Sequence, residues 1–103
     1  MVAQIKYSPK ALLDLKQVFL EVYQASKDEG ITNKYIIEIL DKINAISSFP
    51  ESGSPLNYKE LFTGYRFVVH KSYIAFYRYE DNTIFVDRIL YIKRDYFSIL
   101  GIK

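Results

Sequence analysis

Residues 65–91 read Tyr-Arg-Phe-Val-Val-His-Lys-Ser-Tyr-Ile-Ala-Phe-Tyr-Arg-Tyr-Glu-Asp-Asn-Thr-Ile-Phe-Val-Asp-Arg-Ile-Leu-Tyr, and this stretch decides the fold. Val, Ile, Phe and Tyr crowd three segments, 65–71, 73–80 and 83–91, with breaks at Lys71-Ser72 and Glu80-Asp81-Asn82. β-branched and aromatic residues at a period near two suit a pleated, half-buried surface. Breaks this short allow only antiparallel hairpins, so the segments form a three-stranded antiparallel meander. In the last strand, strict alternation puts Ile84, Val86, Arg88 and Leu90 on one face and Phe85, Asp87, Ile89 and Tyr91 on the other. Arg88 thereby falls on an aliphatic face, where the expectation is a salt-bridged arginine at the edge of a helix–sheet contact.

Upstream the period is helical. Ser8-Pro9 reads as an N-cap with proline at the first helical position. Leu12, Leu15, Val18, Phe19, Val22 and Tyr23 then form an apolar stripe, and Gly30 suits a left-handed exit. Thr32 reads as the cap of a second helix with the stripe Ile36, Ile39, Leu40, Ile43, Ile46 and Phe49, stopped by Pro50. The short connection makes an antiparallel helical hairpin. Residues 2–7 alternate like a short strand, 50–58 read as a loop, and 94–100 read as a last helical turn or two. The expected fold is α+β: N-terminal strand, antiparallel helical hairpin, three-stranded antiparallel meander and short C-terminal helix, with the hairpin packed on one sheet face.

The chain has 103 residues, which predicts one domain spanning 1–103. Half of the residues are hydrophobic and a quarter charged, a composition that excludes disorder. The absence of cysteine excludes disulfide scaffolds, thiolate zinc sites and cysteine nucleophiles, and fits a reducing cytoplasm. No apolar run approaches membrane-spanning length and residues 1–10 lack a signal-peptide pattern, so a cytoplasmic protein without membrane attachment is expected. The net charge of +2 is uneven: residues 1–60 carry −1, whereas residues 61–103 carry +3 and all four arginines. A basic, Tyr-rich half suits nucleic acid or an acidic protein partner.

The sequence contains no glycine-rich phosphate loop and no Gly-x-Ser-x-Gly, and His70 is the single histidine, so neither a multi-histidine metal site nor a cofactor is expected. What remains is the cluster Arg66, His70, Lys71, Arg78, Arg88, Tyr91, Lys93, Arg94 and Tyr96. Arginine forks bind phosphate or carboxylate with paired hydrogen bonds. Were the chain a ribonuclease, such groups would stabilise the charge developing on phosphate, with His70 or Tyr91 as the local acid or base. Were it a binding protein, Arg66, Lys93, Arg94 and Tyr96 would contact the target.

The opening Tyr7-Ser8-Pro9-x-Ala11-x-x-Asp14-Leu15 resembles that of the RelE/ParE superfamily of bacterial toxins. So do Phe49-Pro50-x-x-Gly53, Tyr65-Arg66, Tyr73-Ile74-x-Phe76-Tyr77-Arg78 and the ending Arg88-Ile89-Leu90-Tyr91-x-x-Arg94-Asp95, in order along nearly the whole chain. The resemblance implies the toxin of a type II toxin–antitoxin module, of the kind associated with plasmid stabilisation and growth inhibition, neutralised by a cognate antitoxin. RelE-like members cut mRNA on the ribosome, typically with an arginine where this chain has Ile74 and a second basic residue where it has Val68. The long hairpin and the ending are closer to the ParE branch, whose characterised members poison DNA gyrase. The resemblance thus implies a gyrase inhibitor, with a ribosome-dependent endoribonuclease using Arg66, His70, Arg88, Tyr91 or Arg94 as the alternative.

Overall fold

Each element of the chain forms where its residues satisfy the backbone locally. In the computed structural model, which describes residues 2–103, the order is β1 (Gln4–Tyr7), α1 (Pro9–Ser26), α2 (Glu29–Ala45), β2 (Ser54–Tyr58), β3 (Leu61–His70), β4 (Tyr73–Glu80), β5 (Thr83–Tyr91) and α3 (Tyr96–Ile99). The α+β class is that expected, and so is the element order apart from the added strand β2. Ser8 caps α1, its Oγ accepting from the Ala11 amide at 2.9 Å.

The turn between the helices is tighter than expected. Lys27, not Gly30, takes the left-handed exit (φ 55°), its amide donating to the Tyr23 carbonyl at 2.7 Å. Asp28, not Thr32, caps α2 by accepting from the Ile31 amide at 2.9 Å. Asp28 offers the same capping oxygen four residues earlier, which places Gly30 in the first helical turn. Thr32 lies buried within the helix, donating to the Asp28 carbonyl. The core stripe of α1 is Ala11, Leu15, Val18 and Val22, so Leu12 and Tyr23 are exposed, and α2 ends before Phe49, which is also exposed.

The sheet has five strands in the order β1-β5-β4-β3-β2, with β1 parallel to β5 and the other pairs antiparallel. The expected three-stranded meander therefore gains a fourth strand, since residues 54–58 pair with β3 instead of forming a loop. Pro55 disguises β2 in the sequence. It is tolerated because β2 is an edge strand, bonded on one side only. Lys59 and Glu60, then Asp81 and Asn82, take positive φ at the tips of the β2–β3 and β4–β5 hairpins, as right-twisted two-residue turns require.

Both faces of the sheet are covered at β4. On one face, Val18, Ile39 and Ile43 pack against Tyr73, Ala75, Tyr77, Ile84, Val86 and Ile89. On the other, Ile74, Phe76 and Leu90 lie under Tyr96, Phe97, Ile99 and Leu100 of the C-terminal segment. A register shift makes Asp87 an extra residue on β5, because Phe76 opposes Arg88 while Tyr77 opposes Val86. Such a bulge reverses alternation beyond it. Val86 and Ile89 thus share the helix-side core and Leu90 faces away, where strict alternation had grouped Val86 with Leu90.

β1 covers the outer edge of β5 only as far as Val86. Beyond it α1 takes over: Ser8 Oγ donates to the Asp87 carbonyl at 2.8 Å, and Asp14 accepts the Ile89 amide at 2.9 Å. The same carboxylate accepts from Arg88 Nε and Nη2, at 2.8 and 3.0 Å. Gly53 is the other tight point. Its amide donates to the Tyr77 hydroxyl, which itself donates to the Pro50 carbonyl, and a Cβ on Gly53 would stand 2.7 Å from a Tyr77 ring carbon. Among the described residues, no helix is long and apolar enough to cross a membrane.

Arg88→Ala should lower stability by about 3 kcal/mol, because it leaves a largely buried carboxylate without its counter-ion. The melting temperature should drop by at least about 10 °C. Gly53→Ala should cost about 1–3 kcal/mol through overpacking against the immobile Tyr77 ring. Unfolding free energies from denaturant titration within about 0.5 kcal/mol of the parent would contradict either assignment.

Candidate functional site

One cross-strand row, His70 on β3, Tyr73 on β4 and Tyr91 on β5, lies at the end of the sheet near the α1–α2 turn. Tyr35 of α2 packs edge-on against both His70 (5.2 Å between ring centres) and Tyr73 (5.9 Å). Tyr91 meets Tyr73 edge-on at 5.8 Å and is 39% exposed. The chain then turns, with the Arg94 amide donating to the Tyr91 carbonyl, which brings Arg94 back beside α1. The result is a cleft of about 310 Å³ lined by Asp14, Gln17 and Glu21 of α1 and by Tyr73, Tyr91 and Arg94.

The floor of this cleft is a short polar chain. The Tyr73 hydroxyl donates to Glu21 Oε1 at 2.7 Å, and the Gln17 amide donates to Glu21 Oε2 at 3.1 Å. The Tyr73 hydroxyl foremost, then the Gln17 amide and the Arg94 charge, hold the Glu21 carboxyl below its ordinary range. Burial and the adjacent Glu21 push the Tyr73 phenol well up, so it stays a donor at any physiological pH. The cleft therefore presents a fixed anion, Glu21, facing a guanidinium that makes no side-chain hydrogen bond or close ion pair among the described residues.

The remaining basic residues are distributed differently. Arg66 donates to the Glu51 and Gly53 carbonyls and lies over the Phe62 ring, pinning the 50–53 turn. Arg78 is paired with Asp87 (2.7 Å) and Glu80 (2.9 Å). Arg88 is locked to Asp14, as its place on the helix–sheet border suggests. His70 bonds Glu38 at 3.1 Å on the far side of Tyr73, with its side chain 13% exposed, and so ties α2 to β3. Lys93 is exposed beside Arg94, whereas Tyr96 is packed on Phe76 on the opposite sheet face. The structure thus brings Tyr91 and Arg94 together in the cleft, leaves Lys93 exposed next to Arg94 in the chain, and holds Arg66, His70, Arg88 and Tyr96 elsewhere in internal contacts. Among the described residues, no three His, Asp or Glu side chains converge as metal ligands would.

Reading the sequence missed Gln17, Glu21 and Tyr73. A signal was present: Asp14, Gln17 and Glu21 recur at spacings of three and four, a polar stripe flanking the apolar one on α1.

The family model described as ParE toxin of type II toxin-antitoxin system, parDE, matches residues 5–96. In fold the chain is similar to a protein of the chromosomal ParDE toxin–antitoxin system from P. aeruginosa, with TM-score 0.73, 17% identity, and coverage of 89% of this chain and 98% of that one. It is also similar to a protein of the toxin–antitoxin complex RelBE2 from Mycobacterium tuberculosis, with TM-score 0.62, 16% identity, and coverage of 88% and 99%. No curated protein matches the sequence.

A carboxylate whose folded pKa is depressed contributes stability that is present above its unfolded value, about 4.3. That stability is lost as pH falls through the lower, folded value. Glu21 should therefore titrate below an ordinary glutamate when followed by carboxyl-carbon NMR. Tyr73→Phe should raise its midpoint more than Arg94→Ala does. A Glu21 midpoint at the ordinary value in the parent chain would contradict this arrangement.

Proposed function

Because the chain belongs to the ParE toxin family of type II toxin–antitoxin systems, we propose that it arrests bacterial growth by binding and inhibiting DNA gyrase, and that a cognate antitoxin neutralises it. The observation that carries this reading is the internal engagement of the cations. Arg66, Arg78 and Arg88 each hold the fold together, which leaves Arg94 in the cleft and Lys93, its exposed neighbour in sequence, without a structural role. A phosphoryl-transfer site needs several preorganised cations around one phosphate, whereas a recognition surface needs only one or two exposed forks beside aromatic rings. Arg94, Lys93 and Tyr91 are of the second kind. Residues 1–103 act as one toxin domain in this reading, in the cytoplasm where gyrase works, and the module would serve plasmid stabilisation.

One observation favours the endoribonuclease as a second reading: Glu21, Tyr91 and Arg94 line a single cleft. Glu21 is nevertheless a poor general base. Its carboxyl is held below its ordinary range, and its two oxygens already accept from Tyr73 and Gln17. His70, the other candidate, is turned toward Glu38.

Freshly released toxin should inhibit supercoiling by purified gyrase while leaving ribosome-bound mRNA uncut. Cleavage between codon positions with unaffected supercoiling would replace this reading by the endoribonuclease one. On induction in a bacterial host, Arg94→Ala should lose growth arrest while keeping the parent's melting temperature and antitoxin binding. Full growth arrest by that variant would show that the functional surface lies elsewhere.

A further inference from the structure

Two charges in the cleft beside Tyr91 are left unmatched by the fold. Of its two carboxylates, Asp14 is neutralised by Arg88 and also accepts the Ile89 amide. Glu21 has no cation within ion-pair distance among the described residues, and accepts one hydrogen bond on each oxygen, from Tyr73 and from Gln17. A carboxylate offers about four acceptor positions, so each oxygen keeps one free. Arg94 is the opposite case, a guanidinium without a side-chain partner whose charge nevertheless reaches the Glu21 carboxyl. Anion and cation thus line one cleft without touching, which leaves room for a ligand that carries both charges.

The rest of the cleft narrows the choice. Its volume of about 310 Å³ suits only a small molecule. Val18 and Ile89, both core residues, close part of its wall, and Tyr91 adds exposed ring surface. A ligand bearing phosphate would be repelled by Glu21, and a polyamine by Arg94. An uncharged apolar molecule would desolvate both charges without replacing their water. A small zwitterion with an apolar side chain meets every requirement. The hollow on the other side of Tyr73, lined by Val22, Ile31, Tyr35 and Lys71, offers no such pair, because Lys71 already lies over the Tyr35 ring and 3.9 Å from Glu38.

We propose that this cleft binds a free α-amino acid with an apolar side chain, its carboxylate on the Arg94 guanidinium, its ammonium on Glu21 and its side chain against Val18, Ile89 and the Tyr91 ring. The Tyr73 hydroxyl and the Gln17 amide position Glu21 for the ammonium and do not touch the ligand themselves. Binding of this kind requires nothing of the macromolecular target, so it holds whichever target the toxin strikes.

The test is an NMR titration of the full chain with L-leucine, glycine, leucinamide, N-acetylleucine and inorganic phosphate. Leucine should bind with amide shifts confined to residues 14–21, 73 and 89–94. Glycine lacks the side chain, leucinamide the carboxylate and N-acetylleucine the ammonium, and each should bind about tenfold or more weakly than leucine. Two variants with parent-like melting temperatures assign the charges. In Arg94→Ala, leucine and leucinamide should bind alike, and in Glu21→Gln, leucine and N-acetylleucine should bind alike. Lys59→Ala, at the tip of the β2–β3 hairpin, should bind leucine as the parent does. If Glu21→Gln does not fold, the Arg94→Ala comparison decides. An absence of leucine-induced shifts, shifts centred outside the cleft, equal affinity of the parent for leucine and both single-charge analogues, unchanged leucine affinity in Arg94→Ala, or tighter binding of phosphate than of leucine would each overturn the proposal.

Discussion

The carboxylate of Asp14 is where helix and sheet become one structure. β5 is a central strand for its first half and an edge strand for its second, because β1 stops pairing at Val86. The bulge at Asp87 turns the strand at that boundary and leaves the Ile89 amide without a strand partner. One side chain, Asp14, takes that amide and the Nε and Nη2 of Arg88 at once. An exposed edge with free donors invites pairing with other chains, and a helix laid along it removes the hazard. Placing α1 there also fixes Gln17 and Glu21, one and two turns further on, over Tyr73 and Tyr91. The cleft is thus a by-product of how the edge is closed.

The same geometry sorts the basic residues. Arginines within the sheet are close to carboxylates or carbonyls on neighbouring elements, and each finds one: Arg66 at the 50–53 turn, Arg78 at Asp87 and Arg88 at Asp14. Arg94 lies past the end of β5, where no neighbouring strand can supply a partner. Glu21, whose carboxylate shares the cleft with it, is already committed to Tyr73 and Gln17. The four arginines that read as one basic patch along the chain therefore resolve in space into three structural contacts and one exposed fork.

Much of this architecture is legible in the residues. The alternation in 73–80 and 83–91, the Ser8-Pro9 start and the helical stripes lead to the right class and to every element but β2. What escapes has specific causes. β2 hides behind Pro55 and Ser54, tolerable only because one side of the strand is unpaired. The Asp87 bulge is silent, since Asp87 fits the alternating pattern it interrupts. Glu21 and Tyr73 are 52 residues apart, and a bond between two such common residue types has no local signature. The position of Arg94 beyond the last strand is legible, because it depends only on where the apolar alternation ends.

The parallel pairing of β1 with β5 bears on how the protein is made. The Ser8 hydroxyl bonds a carbonyl 79 residues further along the chain. At roughly 5–20 residues per second, about 4–16 s of synthesis separate the two groups. During that interval the helical hairpin can form, but its apolar underside has no sheet to cover, and β1 has no neighbour. Contacts of such long range also slow the closing step itself. Tyr91 and Arg94 reach their places only after β5 has docked, so a nascent or prematurely ended chain carries the α1 surface without the cleft. The order of synthesis thereby exposes the outer helix face to other molecules before the cleft exists.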